Sequence, residues 1–287
     1  MPSPKSGQFR TACLTAASLV AFAANSVLCR LALGSASIDA ASFSTIRLLS
    51  GAVVLMLLTR LGGRRTLENQ GSWRSAAALA LYAITFSYAY VLLGTGTGAL
   101  ILFGAVQATM IIAGLVSGER PTAVEWLGLL IAVAGLVYLV LPGVSSPSPS
   151  GAVLMTAAGI SWGIYSLRGR GADNPVRITT GNFIRSVPLA LAVSLVMLPQ
   201  MHLSPEGVLI AAISGGVASG LGYVVWYTAL RGVTATLAAT VQLAVPLLAA
   251  AGGVLFLSET VSARLILSGL AILGGVGVAI MGRTGSS

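Results

Sequence analysis

An all-α integral membrane protein, with ten transmembrane helices arranged as two inverted five-helix repeats, is the fold class this sequence predicts. Three observations predict it. About ten apolar stretches, each near 20 residues long, run along the 287 residues, of which 56% are hydrophobic and 8% charged, for a mean hydropathy of +0.93. A hydrocarbon core roughly 30 Å thick takes about 20 helical residues to cross. Almost all the positive charge falls in alternate gaps between the stretches. Finally, two segments about 140 residues apart read as copies of one unit.

The spans read as 11–33, 39–61, 73–93, 96–116, 122–141, 150–170, 176–198, 206–228, 233–257 and 262–281. All should be helical, because a segment in lipid must satisfy its own backbone hydrogen bonds. Turn and breaker residues separate them: Gly62-Gly63 before Arg64 and Arg65, Pro142-Gly143 ahead of Pro147 and Pro149, and Ser204-Pro205 opening a helix. Thr122 and Glu125 have capping-box spacing just after Pro121.

Charge sets the direction. Of 16 basic residues, 12 fall on the side of the N-terminus (Lys5, Arg10, Arg60, Arg64, Arg65, Arg74, Arg120, Arg168, Arg170, Arg177, Arg231 and Arg283). Arg30 and Arg264 fall on the other side, and Arg47 and Arg185 lie within spans. This asymmetry predicts that both termini are cytoplasmic, and a high ratio of Arg to Lys is compatible with a bacterial origin, so a bacterial cytoplasmic (inner) membrane is the expected location. The asymmetry also accounts for the net charge of +9 as topology signals against anionic lipid, so the bilayer is the expected partner and nucleic acid is not. Lys5, Arg10 and the apolar run ending Ala21-Phe22-Ala23 look like a signal peptide. Cleavage there would leave an odd number of crossings, so the segment is read as a retained first span. Cys13 and Cys29 share that helix about 24 Å apart and cannot bridge each other. Two cysteines support no metal site, and no cofactor is expected.

Residues 94–121 (GTGTGALILFGAVQATMIIAGLVSGERP) and 234–261 (TATLAATVQLAVPLLAAAGGVLFLSETV) align with Glu119 on Glu259 and Val106 on Pro246. Ile46-Arg47 and Ile184-Arg185 give a second anchor. The chain therefore divides into a first repeat, 1–142, an outer linker, 143–149, and a second repeat, 150–287. Five spans per half is an odd number, so the second half inserts upside down. That arrangement places a binding site between the halves near the midplane.

Ten spans in two halves, the SGERP and LSET segments closing spans four and nine, and an Arg in spans two and seven resemble the EamA domains of the drug/metabolite transporter superfamily. Within it the chain looks most like the YddG-type aromatic amino-acid exporters. The resemblance implies a cavity formed by spans one, three, four, six, eight and nine, with five and ten peripheral, and it alone implies export. The first copy has Val106 where a proline is common, so span four should bend less than span nine.

Polar groups at membrane depth each need a reason. Arg47 and Arg185 lie within about 5 Å of their span centres. Either they are tied structurally to backbone carbonyls, or one is the counter-charge for a substrate carboxylate. Arg30 is expected to snorkel at the outer interface. Glu119 and Glu259, at span ends, are expected to pair there, for example with Arg120 or Arg264. No Asp or Glu lies near a span centre, and His202 is in an outer loop. That favours facilitated or potential-driven movement over proton exchange.

Trp73, Trp126 and Trp226 fall near span ends and read as interfacial belt residues. Trp162 sits mid-span with Tyr165 a turn on; Tyr82, Phe86 and Tyr90 share one face of span three. Asn25, Ser26, Gln107 and Gln242 add hydroxyl and amide groups. The substrate-binding candidates are Asn25, Tyr82, Gln107, Trp162, Tyr165 and Gln242. Flat rings with a few amides suit a zwitterion with an apolar side chain, although helix packing explains each residue singly. Gly94–Gly98, Gly159–Gly163 and Gly216–Gly220 have close-packing spacing, and Pro188 and Pro246 are hinge candidates.

The function these features favour is secondary transport. An exporter of amino acids, aromatic or large neutral, or of similar small metabolites would work by alternating access, with a monomer as the expected unit. A channel-like pore for small solutes, or an exporter of drugs or other metabolites, is the alternative. No filter loop, midplane His, Asp pair, metal cluster or GxxxxGK[ST] segment occurs, so no catalytic residue is assigned and an enzyme or nucleotide-driven pump is not expected.

Overall fold

The computed structural model describes residues 4–61, 70–116, 122–141, 146–169, 174–229, 242 and 244–284. Within them the chain is all-α, with ten helices: α1 (Pro4–Gly34), α2 (Ala40–Leu61), α3 (Trp73–Leu92), α4 (Thr95–Val116), α5 (Ala123–Val140), α6 (Pro149–Gly169), α7 (Pro175–Val196), α8 (Pro205–Ala229), α9 (Ala244–Leu257) and α10 (Ala263–Thr284). Six of them, α1, α2, α3, α6, α7 and α8, are long and apolar enough to cross a membrane; α4, α5, α9 and α10 have shorter apolar stretches. Glu119, Arg120, Arg64, Arg65, Arg170, Arg231 and the start of the ninth span over 233–241 lie outside the described residues.

Local chemistry starts the helices where the sequence places them. Thr122 and Glu125 form the predicted capping box, each side chain accepting from the other's backbone N–H at 3.3 and 2.6 Å. The Ser204 hydroxyl accepts from Gly207 N–H at 3.0 Å ahead of Pro205, and Ser72 accepts from Ser75 N–H at the start of α3. Large apolar side chains lie on the outside as well as in the core. Leu130, Leu255 and Leu270 face outward, while among the buried side chains are the polar Asn25, Ser26, Arg47 and Gln107. An apolar exterior with polar groups turned inward suits a lipid solvent.

The packing repeats itself when each helix is exchanged for the one five places on. α2 packs on α7 and α5 on α10; α1 on α9 is matched by α6 on α4, and α3 on α6 by α8 on α1. The equivalent helices α2 and α7 run antiparallel, with hydroxyls paired at both ends: Thr45 with Ser194 at 2.8 Å and Thr59 with Thr180 at 3.3 Å. α5 and α10 touch little besides each other and α4. There Gly128 and Gly275 bring the two backbones together, so a side chain on either would overlap main-chain atoms of the other helix.

Connections expected on one face meet on that face. Ile38 bridges Leu203, and Asp39 accepts from His202 N–H at 3.0 Å. Glu259 meets Thr95, and Arg264 donates to the Leu141 carbonyl. On the opposite, basic face, Arg168 donates to Ser75 at 3.0 Å and Asn182 accepts from Ser72 N–H at 2.9 Å.

One element departs from the sequence reading. The middle of α8, Ser214–Leu221, is a π-helix. Its glycines do pack closely, as their spacing implies, but the tightest is Gly215, where a Cβ would overlap the Arg47 carbonyl oxygen and the Ser50 hydroxyl. Gly216 and Gly220 instead face Val54 and Gly51. Gly159 and Gly163 likewise seat α6 on Ala105 and Thr109 of α4.

Candidate functional site: a chamber between the halves

The π-helix is what assembles the centre of the molecule. Where hydrogen bonds close at i+5, residues five apart come to lie on one side of the helix. Ser214 and Ser219 both donate to Asn25 Oδ1, at 2.7 and 3.4 Å. Asn25 Nδ2 in turn reaches the Tyr82 hydroxyl at 3.5 Å. The α1 amide is thus held between α8 and α3.

Around it lies a small chamber lined by Phe22, Asn25 and Ser26 of α1, Tyr82 and Phe86 of α3, Leu102 and Phe103 of α4, Trp162 of α6 and Tyr223 of α8. Its rings interlock. Trp162 lies 5.0 Å from Tyr82 and 4.7 Å from Tyr223 between centroids, and Phe22 meets Trp162, Tyr223 and Trp226 edge-on at 5.7–5.9 Å. The free space between these side chains is little more than a single solvent molecule needs. The chamber is therefore closed down, and an amino acid enters only if its walls part.

Arg47 stands directly behind this wall, only 1% exposed. Its Nε donates to Ser219 Oγ at 3.0 Å, and Nη2 donates to the hydroxyls of Tyr82 and Tyr223 at 3.1 and 3.3 Å. Its Cζ lies 5.1 and 5.0 Å from the ring centroids of Tyr82 and Phe86. Nη1 is buried and makes no hydrogen bond to the protein, and among the described residues no carboxylate pairs with the guanidinium. Side-chain hydroxyls and rings hold Arg47, where the structural reading of the sequence expects backbone carbonyls.

Arg185 takes that backbone role instead. Its Nη1 donates to the carbonyls of Gln70 and Gly181 at 2.8 and 3.0 Å on the basic face. Gly71, at φ +90°, carries the chain past Asn182 in a conformation that favours glycine.

The sequence-derived candidates divide by position. Asn25, Tyr82 and Trp162 line the chamber. Tyr165 packs on Trp162 at 5.7 Å but faces a second small cavity with Gly169, Pro175, Ile178, Thr179, Asn182 and Tyr227. Gln107 and Gln242 are buried but do not line the chamber in this closed state. Pro188 is exposed within α7, and Pro246 is buried in α9.

One reading is corrected. Trp226 is not an interfacial belt residue: it is 3% exposed and packs on Phe22. Trp73 and Trp126, by contrast, are exposed near helix starts. Arg30 is partly exposed near the end of α1. It donates to the carbonyls of Tyr90 and Val91 at 2.9 and 3.3 Å and pairs with Glu259 at 3.5 Å, so Glu259 meets Arg30 where Arg264 is one expected partner. Glu259 also accepts from the backbone N–H of Thr95 at 2.8 and 3.0 Å and from its hydroxyl at 3.0 Å, closing α9 onto the start of α4.

Phe22, Leu102, Phe103 and Tyr223 went unrecognised by sequence reasoning. The signal for Tyr223 was the run of glycines and serines ahead of it, which marks a helix able to approach another backbone and change register.

Comparison with known proteins follows the same lines. The model of the EamA-like transporter family matches residues 9–141 and again residues 149–281. A Pseudomonas aeruginosa protein named only as uncharacterized protein PA1977 is 49% identical over 96% of both chains. The threonine/homoserine exporter RhtA of Escherichia coli is 31% identical over 59% of this chain and 57% of its own. The uncharacterized transporter YwfM of Bacillus subtilis is 28% identical over 77% of each. A solved crystal structure at 20% identity matches with a TM-score of 0.65, covering 92% of this chain and 98% of its own, and shares the fold.

Proposed function

We propose, from the premise that this chain belongs to the EamA-like transporter family, that it exports amino acids across the bacterial cytoplasmic membrane by alternating access. The observation that carries this reading is the uncompensated guanidinium of Arg47 behind a closed aromatic chamber. A buried charge is costly without a partner. A substrate carboxylate supplies one, while the rings of Trp162, Tyr82, Phe86 and Tyr223 take the apolar side chain. In this state Tyr82 and Tyr223 screen Arg47 from the chamber. Parting the halves frees the guanidinium's bonds to these hydroxyls for the substrate.

The moving units are the repeats 1–142 and 150–287, joined by the linker 143–149, with Pro246 and Pro188 as hinges. The basic face is cytoplasmic, which puts both termini inside. A single chain suffices. The chamber's rings favour aromatic or large neutral amino acids, and the name of the RhtA relatives adds threonine and homoserine to those worth testing.

Counterflow in liposomes containing only this protein tests the reading, with labelled phenylalanine and threonine as probes. Saturable counterflow of either supports a carrier; unsaturated conductance, or no flux of any amino acid, defeats it. Trp162→Ala and Asn25→Ala address the site, since both side chains line the chamber. If both leave flux and specificity unchanged, the chamber is not where substrate binds.

A further inference from the structure

The two ends of a bound amino acid are not provided for equally. The sequence has seven acidic residues, and none lies near a span centre. Asp39 accepts from the N–H groups of Ser42 and His202, Glu125 closes the α5 capping box, Glu206 sits in the first turn of α8, and Glu259 pairs with Arg30 and Thr95. Glu68, Glu119 and Asp173 fall in connections between spans. Among the described residues, no fixed anion therefore stands at chamber depth to receive an ammonium group.

Of the four amide and hydroxyl side chains that line the chamber, Asn25, Ser26, Tyr82 and Tyr223, three are already engaged as acceptors. Asn25 Oδ1 takes bonds from Ser214 and Ser219, and the hydroxyls of Tyr82 and Tyr223 take bonds from Arg47. The rings of Tyr82 and Phe86, which could attract a cation, lie against the Arg47 guanidinium. Once Tyr82 and Tyr223 part, an ammonium at this wall meets a like charge, whereas a carboxylate meets an opposite charge whose Nη1 makes no bond to the protein.

We infer that the chamber recognises a carboxylate and does not require an amino group, so its ligands include 2-hydroxy acids with the side chains of its amino-acid substrates. This inference rests on the amino-acid reading for the site's location, and it deepens that reading from a named substrate to a chemical class. The physical basis is the charge inequality: exchanging ammonium for hydroxyl removes a repulsion and forfeits no ion pair. Exchanging carboxylate for amide leaves Arg47 buried without an anion.

The test uses purified wild-type protein and two ligand triplets: phenylalanine, phenyllactate and phenylalaninamide; and threonine, 2,3-dihydroxybutanoate and threoninamide. Binding is read by ligand-induced thermal shift and tryptophan fluorescence at about pH 6, where the amide's amine is protonated. In the triplet that binds, the hydroxy acid should fall within about tenfold of the amino acid, while the amide is weaker by at least about thirtyfold. An amide that binds as well as the amino acid, or a hydroxy acid that fails where the amino acid binds, overturns the inference and leaves amino-acid transport standing. Binding of hydroxy acids without amino acids does the reverse. If none of the six binds, both fall. Arg47→Gln should lose amino acid and hydroxy acid alike, and the wild-type ranking stands on its own if that variant does not fold.

Discussion

Arg47 and Arg185 hold matching places in the two halves, yet their guanidiniums end in opposite surroundings. Each follows an isoleucine, each lies near the middle of its helix, and α2 and α7 pack on each other. The neighbours make the difference. α7 receives the turn ahead of α3, which passes so close to Gly181 that the Gln70 carbonyl is in reach of Arg185. α2 receives the π-helical stretch of α8, whose carbonyls are used within the helix and whose Ser219 and Tyr223 offer only hydroxyls. Hydroxyls can turn away from a guanidinium, but a carbonyl in a fixed backbone cannot. One arginine is therefore anchored as structure, and the other is held in a way a ligand can displace.

The largest separation expected between them is functional. Arg47→Gln should abolish saturable counterflow, or weaken apparent affinity by at least about thirtyfold, because it removes the only charge beside the chamber among the described residues. Thermal stability should change little or rise, since an uncompensated buried charge is lost. If transport by Arg47→Gln matches wild type, Arg47 is structural after all and the contrast with Arg185 disappears.

Gly215→Val attacks the same contrast through packing. The added side chain overlaps the Arg47 carbonyl and the Ser50 hydroxyl, forcing α8 from α2 at about 1–3 kcal/mol. Ser219 and Tyr223 move with it, so stability and transport should fall together in a melt and a flux assay. A variant with normal values for both would show that the π-helix does not set the position of Arg47.

Arg185→Ala should show the reverse pattern from Arg47→Gln. Losing two bonds to backbone carbonyls costs about 1–2 kcal/mol, visible as a lower melting temperature, while KM for counterflow stays within about twofold. A raised KM with an unchanged melt would assign Arg185 to the substrate.

What could be read from the sequence follows from which physical quantity each feature obeys. Span number and the Thr122–Glu125 cap depend on local composition, and both are present. Asn25, Tyr82 and Trp162 combine polarity or ring size with central depth, and depth is a matter of counting residues from a span end. Trp226 defeats that count: it is near an end, but the side it presents depends on how α8 lies against α1. Nor does any local signal say that Arg30 meets Glu259, or that Arg47 and Arg185 differ, because those partners come from opposite halves. Gln107 and Gln242 carry the right chemistry at the right depth and still lie off the closed chamber.

Glu259 gives the smallest expected effect and the finest test of how the halves close. Its carboxylate joins α9, α4 and α1 through Thr95 and Arg30, but the side chains of Arg30 and Glu259 are 28% and 21% exposed, so solvent screens the pair. Glu259→Gln can still accept from Thr95 and loses only the charge, at about 0.5–1 kcal/mol. That is too little to unfold the protein, yet it corresponds to about a two- to fivefold change in any balance between a closed and an open outer side. Cysteine labelling at positions flanking Thr95, in a background lacking Cys13 and Cys29, should therefore speed up by about that factor, with substrate affinity unchanged. Unaltered labelling would mean that this cluster only joins helix ends, and that closure of the chamber rests on the aromatic wall and the α2–α8 contact.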